Sequence, residues 1–414
     1  MFQGLSTNQA PPISVPFRFF ITAPLFGILI AIVFLNYPSE QIFDRYSNVA
    51  VATIHLFTLG VLAMSMFGAL QQMLPVLAGA VIKKPILFAN IVHINLTIGT
   101  LGLSGGFLYS NDILLQIGSI ALTLAFGVFL FTIIKLLFKV NYTTPTVKTM
   151  KIFSIATLFT FGFGLFLLNS HITQNILPYH INLVNTHILF GFFGFAILLV
   201  MGVAFQVIPM FYVARDFPKK IQDKFPLIIF SLLIFSFILL ISDIKPMFII
   251  NLLFILSSIF AYYGLQSLNN RRRNIFDVTL WYWKLSLTSL IIGSSLFIYE
   301  APIQLVTIVF IFGFLYPLLQ GMIYKIVPFL SWFHLNAQGY FGIPTLRGFI
   351  IEFDIKVQFF VYILFLVFIL LSTLLNDLFL YIAGILFIVS NILYITNILL
   401  SVKKYKSDEY QKFT

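Results

Sequence analysis

The segments GALQQMLPVL (68–77), GVAFQVIPMF (202–211) and GMIYKIVPFL (321–330) are related copies of one sequence pattern. Each segment begins with a Gly that stands eight residues after an earlier Gly and seven residues before a Pro. The three triplets are Gly60, Gly68, Pro75; Gly194, Gly202, Pro209; and Gly313, Gly321, Pro328. Internal repetition of this kind constrains architecture more than any single residue does. Because every copy lies in a long apolar stretch, the pattern predicts a membrane protein built from three related units.

The composition is also typical of a membrane protein. Hydrophobic residues make up 60% of the chain and charged residues only 9%, whereas about a quarter of a soluble domain is charged. Twelve apolar stretches reach the roughly 20 residues that a bilayer-crossing helix needs. They are 17–36, 49–79, 86–108, 113–138, 150–169, 181–212, 225–242, 246–265, 280–299, 302–330, 357–375 and 377–401. We therefore expect an all-α polytopic membrane protein with twelve transmembrane helices.

The three copies fall in the second, sixth and tenth of these spans, so each unit is expected to contain four helices. The predicted units are 17–138, 150–265 and 280–401, related by a pseudo-threefold axis within a single transmembrane domain (1–414). Glycines eight residues apart lie near one face of a helix, where another helix or a flat cofactor can approach closely. The Pro that follows them is expected to kink or end the helix.

The distribution of basic residues predicts the orientation in the membrane. Loops after the even-numbered spans and the C-terminal tail are basic, for example at Lys83, Lys84, Arg215, Lys219, Lys220, Lys403 and Lys404. The opposite loops carry only Arg45 and Lys245. The positive-inside rule then places both termini in the cytoplasm, and we expect a multi-pass protein of a bacterial-type inner membrane. The net charge of +11 reflects this topology and contact with anionic lipid, so no nucleic-acid partner is expected.

Two absences in the sequence limit the kinds of metal, cofactor and ion-coupling site that the chain can form. The chain contains no Cys, which excludes disulfides, thiolate metal sites, iron–sulfur clusters and covalently attached c-type haem. The Asp and Glu residues fall in loops or near the ends of spans. An ion-coupled transporter usually buries at least one acid within the membrane, so the sequence does not favour one.

The histidines are the main candidates for chemistry, because a titratable residue within a membrane span usually has a function. His55 and His187 stand near the starts of spans two and six, 20 and 22 residues before their Pro. Both are predicted ligands of haem or a metal, and His93 and His180 are further candidates. Imidazole binds haem iron and copper alike. The alternative for each is an interhelical hydrogen bond, for example to a backbone carbonyl. His334 is expected in the loop after span ten.

Two longer segments, HLFTLGVLAMSMFGALQQMLPVLAG (55–79) and HILFGFFGFAILLVMGVAFQVIPMF (187–211), carry a family resemblance, with GMIYKIVPFLSWFHL (321–335) as a third copy. This pattern resembles subunit I of the haem-copper oxidases and, more closely, their short relatives that include the NnrS proteins. The resemblance implies a haem- or copper-binding membrane protein in nitric oxide or respiratory electron metabolism. It also implies an electron donor or respiratory subunit as partner.

Residue by residue, the resemblance is partial. His55 matches the helix-2 haem ligand of the family, and His187 falls on the helix-6 element that contributes a copper ligand. We expect non-covalent haem b on His55, with copper as a further cofactor. Spans seven and ten, however, contain no His, so ordinary oxygen reduction at a haem-copper centre is not expected.

Two other functions remain open at the level of sequence. A secondary transporter or permease would use the histidines for packing only, although twelve-helix carriers commonly repeat as six plus six helices. A scaffold subunit that has lost its ligands would keep the repeat without the chemistry.

Overall fold

A computed structural model describes residues 10–141, 144–175, 179–272, 275–407 and 410–412. Its α-helices are α1 Ser14–Asn36, α2 Ser39–Phe43, α3 Asn48–His55, α4 Met64–Ala78, α5 Pro85–Leu108, α6 Asp112–Lys139, α7 Pro145–Ile172, α8 His180–Leu189, α9 Leu198–Tyr212, α10 Lys219–Ile241, α11 Met247–Asn269, α12 Thr279–Ile298, α13 Ile303–Ile308, α14 Tyr316–Ala337, α15 Leu346–Phe349, α16 Glu352–Ser372 and α17 Asp377–Tyr405. Three π-helical segments are π1 Leu56–Ala63, π2 Phe190–Ile197 and π3 Val309–Leu315. A two-residue antiparallel ladder pairs β1 Tyr340–Phe341 with β2 Gln411–Lys412.

The chain is an all-helical polytopic membrane protein. In the described part, eleven helices are long and apolar enough to cross a bilayer. All twelve predicted spans are helical, but the ninth, Thr279–Ile298, is not among these eleven although it has 20 residues. Its first turns contain the run Trp281, Tyr282, Trp283, Lys284, and these side chains make it less apolar than the other spans.

Each copy of the sequence repeat forms a long helix with a π-helical middle. We call them repeat helix 1 (α3, π1, α4), repeat helix 2 (α8, π2, α9) and repeat helix 3 (α13, π3, α14). The first Gly of each triplet occupies the fifth residue of its π segment, at Gly60, Gly194 and Gly313. π-Helix is rare in proteins, well under about 1% of residues. Its recurrence in one register shows that the sequence repeat is also a repeat of local structure.

The three prolines do not act alike. Pro75 and Pro209 lie three residues before the ends of α4 and α9, close to the predicted helix ends. Helix α14 instead continues nine residues past Pro328, to Ala337. Packing inside a membrane protein tolerates the hydrogen bond that Pro removes. The expected loop position of His334 is therefore wrong, since this residue lies within α14.

The chain divides into two compact units. Unit A consists mainly of Met73–Asn274 and Leu287–Val306, and unit B of Pro11–Gln72, Ile275–Ser286 and Thr307–Thr414. In unit A, helices α5, α6 and α7 pack consecutively, α7 packs on repeat helix 2, and α10 packs on α7 and α11. In unit B, α1 packs on π1 and α17, and α17 packs on α14 and α16. The boundaries of units A and B do not coincide with those of the three predicted repeat units.

Candidate functional site

His55 is the last residue of α3 and stands directly before π1. Its half-buried ring bonds through Nδ1 to the carbonyl oxygen of Val51, one turn earlier, at 2.7 Å. Histidines that bind metals commonly hold one ring nitrogen on a carbonyl in this way, which fixes the ring and directs the other nitrogen to the metal. The bond at Nδ1 is therefore compatible with a ligand role for Nε2.

His187 is held by a different helix. Its Nδ1 lies 3.0 Å from the carbonyl oxygen of Thr160 on α7. The ring packs on the same helix at Gly164, where an added Cβ would lie 2.9 Å from the His187 Cε1. This is the interhelical carbonyl bond that the sequence analysis gave as the alternative to ligation. It ties repeat helix 2 to α7. As in His55, the ring nitrogen that contacts the carbonyl oxygen is Nδ1.

Three of the other histidines have separate surroundings. His93 is half-buried on α5, and its backbone carbonyl accepts a bond from the Thr97 hydroxyl at 2.8 Å. His180 is the first residue of α8, and His334 lies in α14. In the described part of the chain, the buried His180 Nδ1 and His334 Nε2 have no hydrogen-bond partner.

A metal centre with several protein ligands is not formed by the described residues. Among them, no three His, Asp or Glu side chains come together in a way that could hold a metal ion. The spans therefore provide no copper centre built from three such side chains. A haem, in contrast, needs only one or two axial ligands from the protein.

The glycines of repeat helix 1 are contact points for α1. A Cβ added to Gly60 would lie 2.3 Å from the Phe26 Cγ, and one added to Gly68 would lie 2.6 Å from the Phe19 Cβ. Both distances are too short for any residue except Gly, so the phenylalanines lie against bare backbone. The gap at Gly60 that the sequence analysis offered to a helix or a flat cofactor is filled by Phe26.

The other two repeat helices also place glycines against a neighbouring helix, less tightly in repeat helix 2 than in repeat helix 3. Added Cβ atoms would lie 3.0 Å from the Ala156 Cβ at Gly194 and 3.1 Å from the Thr149 Cβ at Gly202, both on α7. At Gly321 the neighbour is the Tyr282 Cβ of α12, at 2.7 Å. Thus α1, α7 and α12, which begin the three predicted units, each pack on the repeat helix that follows.

Unit B contains a buried row of polar side chains on repeat helix 3, which the sequence analysis did not identify. We call Tyr316, Gln320 and Tyr324 the polar row; their exposed fractions are 1%, 0% and 2%. Spaced four residues apart, they share one face of α14. The Tyr316 hydroxyl donates to the Asn391 Oδ1, and the Asn397 Nδ2 donates to the Tyr324 hydroxyl at 3.0 Å. Helix α17 thus supplies partners at both ends of the row.

Further polar groups surround this row within unit B. The Tyr282 hydroxyl donates to the Gln358 Oε1. The Nε2 of Gln358 in turn donates to the Ser390 hydroxyl at 2.8 Å. Tyr362 donates its hydroxyl to the carbonyl oxygen of Phe312, which lies within π3. A buried polar network thus connects α12, α14, α16 and α17.

Gln320 is the exception in this network. It is fully buried, and neither its Oε1 nor its Nε2 has a hydrogen-bond partner in the described structure. Leaving one buried polar group unsatisfied costs about 1–3 kcal/mol.

A signal for the polar row was present in the sequence, because polar residues at a spacing of four in an apolar span mark one helix face.

An ion pair lies beside the polar row. Lys325, the residue after Tyr324, forms it with Asp277, and the two side chains are 24% and 16% exposed. Asp277 Oδ1 also accepts bonds from the backbone nitrogen of Thr279 at 3.0 Å and from its hydroxyl at 2.7 Å. The carboxylate therefore fixes both the start of α12 and the Lys325 side chain.

No protein-family model matches the chain, and no curated protein is significantly similar to it.

Proposed function

We propose that this protein is an integral membrane protein that binds haem b through His55, on a scaffold resembling subunit I of the haem-copper oxidases and the NnrS proteins. The scaffold has twelve membrane helices in three units of four, and it lies in a bacterial-type inner membrane with both termini in the cytoplasm. The observation that carries the haem assignment is the Nδ1–Val51 bond, which orients His55 at the entrance to π1.

The repeated packing supports the three-unit scaffold. The first helix of each predicted unit contacts the second Gly of the triplet on the following helix, through Phe19 at Gly68, Thr149 at Gly202 and Tyr282 at Gly321. A chain made of two six-helix halves would not repeat this contact three times. An experimental structure in which residues 17–138, 150–265 and 280–401 superpose better than the two halves of the chain would support the proposal.

The site residues fit one axial ligand rather than a multi-ligand metal centre. His55 would bind the iron through Nε2, while Val51 fixes its ring through Nδ1. Because the described residues form no group of three metal-binding side chains, we assign no copper site. The absence of Cys requires that haem be held non-covalently.

Bound haem would supply electron transfer and an iron that can bind a small diatomic molecule such as nitric oxide. Val51 has a positioning role, because its carbonyl oxygen would hold the ring of His55 in place.

The test is an absorption spectrum of detergent-purified protein, oxidised and reduced, from cells supplied with haem, together with total iron. We expect a Soret band that shifts on reduction, and about one iron per chain. In His55→Asn the side-chain amide can still donate to Val51, but no imidazole remains to bind iron. This variant should keep its melting temperature and lose the band.

The matched control is His334→Asn, which changes the same residue type on another helix and should leave the spectrum intact. Folded wild-type protein that stays colourless after expression with ample haem would overturn the proposal. An unchanged spectrum in His55→Asn would overturn the assignment of His55.

A further inference from the structure

Four buried polar groups on α12, α14 and α17 lack the hydrogen bonds that their burial requires. Gln320 has no partner for either amide atom, and the Tyr394 hydroxyl and Trp283 Nε1 have none in the described structure. The Asn397 amide donates to the Tyr324 hydroxyl, so the hydroxyl proton of Tyr324 still needs an acceptor. Buried polar groups in native proteins are satisfied by protein or by ordered water.

These groups lie close together along one path. Gln320 is one helical turn from Tyr316 and one from Tyr324. The ring of Tyr394 lies 5.1 Å from that of Tyr324, measured between centroids, and the ring of Tyr282 lies 5.8 Å from it. Gln320 and Tyr324 on α14 and Tyr394 on α17 therefore lie near one another.

Beside one end of the polar row lies an ion pair whose side chains are partly exposed. Lys325 follows Tyr324 on α14, and its partner Asp277 stands five residues before Tyr282, ahead of α12. Their side chains are 24% and 16% exposed, unlike those of the polar row. Along the axis of α14, Tyr324 is one residue and Gln320 five residues from Lys325, so both lie within about 8 Å of the level of the ion pair.

We propose that the polar row binds a file of internal water molecules that enters beside the Lys325–Asp277 pair and extends at least to Gln320. A buried water needs two to four polar partners. The Gln320 amide alone offers two donors and two acceptor lone pairs, and the Tyr324 and Tyr394 hydroxyls extend the file towards the ion pair. This inference is independent of haem binding, since none of its residues is a proposed haem ligand.

The absence of Cys from the chain makes the test direct, because each single-Cys variant carries one reactive thiol. Thiols react as thiolates, and a thiolate forms only where water can solvate it. Gln320→Cys should react with methyl methanethiosulfonate at least about tenfold faster than Leu318→Cys, as followed by mass spectrometry of purified protein. Leu318 lies two residues away on the same helix, is 4% exposed, and points about 160° from Gln320.

Equal, background-level reaction at both positions would overturn the proposal. Gln320→Leu provides a second measurement that does not depend on a thiol. If the row is hydrated, Leu removes bonds made to water and should lower the melting temperature. If the row is dry, Leu removes an unsatisfied amide and raises it, which would also contradict the water file.

Discussion

The ring of Phe26 lies directly on the backbone of Gly60, at a distance that leaves no space for a Cβ atom. Gly60 stands in the middle of π1, and Phe26 lies on α1, which packs on this segment. The contact therefore joins a local feature, the π-helical turn, to a tertiary one, the packing of a neighbouring helix. It accounts for the Gly in physical terms: the first helix approaches repeat helix 1 at its backbone.

Gly60→Ala is expected to destabilise the protein. The added Cβ would lie 2.3 Å from the Phe26 Cγ, and overpacking of this kind typically costs about 1–3 kcal/mol. We expect a melting temperature several degrees below that of the wild type in the same detergent. Gly68→Ala, which meets the Phe19 Cβ at 2.6 Å, should act in the same direction.

Gly127→Ala is the matched control, since Gly127 lies inside α6 and an added Cβ meets nothing within 4 Å. Ala is favoured over Gly in a helix by about 1 kcal/mol, so this variant should be as stable as the wild type or more so. If Gly60→Ala and Gly127→Ala lowered the melting temperature equally, close packing would not be the reason that position 60 is occupied by Gly.

The helices themselves could be predicted from sequence, because a membrane span needs a long apolar run and every such run is a helix. The Gly and Pro triplets likewise located the repeat helices. The partners of those residues could not be predicted. Phe26 is one of 51 phenylalanines, and only the tertiary packing selects it for Gly60. The π segments were also hidden, since they differ from the flanking helix in hydrogen bonding and not in composition.

The polar row was missed for a related reason. Tyr316 and Tyr324 pair with Asn391 and Asn397, which lie 75 and 73 residues further along the chain. Each residue alone is an ordinary polar residue in a span, and its significance depends on a partner from another helix. His334 was misplaced because Pro328 was expected to end or kink the helix near that point, whereas α14 continues to Ala337.

The Tyr316–Asn391 bond should contribute to stability as a coupled pair. Tyr316→Phe removes the donor and leaves the buried Asn391 Oδ1 without it, which should destabilise the protein by about 1–3 kcal/mol. Asn391→Leu should also destabilise, since it leaves the hydroxyl unpaired. The double variant should lose less than the sum, with a coupling of about 0.5–1.7 kcal/mol as for other hydrogen bonds between membrane helices. Strictly additive losses in unfolding free energy would contradict a direct bond in the folded protein.

Asp277 is expected to have two separable roles. Asp277→Asn keeps an oxygen that can accept from Thr279 but removes the charge that faces Lys325, whereas Asp277→Ala removes both. We expect the Ala variant to be less stable than the Asn variant by about 1 kcal/mol, the usual value of a side-chain bond to a helix start. The double variant Asp277→Asn with Lys325→Met should be more stable than Asp277→Asn alone, because it removes the unpaired charge. No difference between the Asn and Ala variants would reject the role at the start of α12.

The proposed orientation can be tested with the same Cys-free background. Tyr46 follows Arg45 in a loop assigned to the outer side and is 72% exposed, while Lys220 is exposed at the start of α10, on the side assigned to the cytoplasm. A membrane-impermeant maleimide added to intact cells from which any outer membrane has been removed should label Tyr46→Cys and not Lys220→Cys. After permeabilisation both should react, which shows that each thiol is accessible. Basic residues are retained on the cytoplasmic side during insertion, so the reverse labelling pattern would require the opposite topology and would place both termini outside.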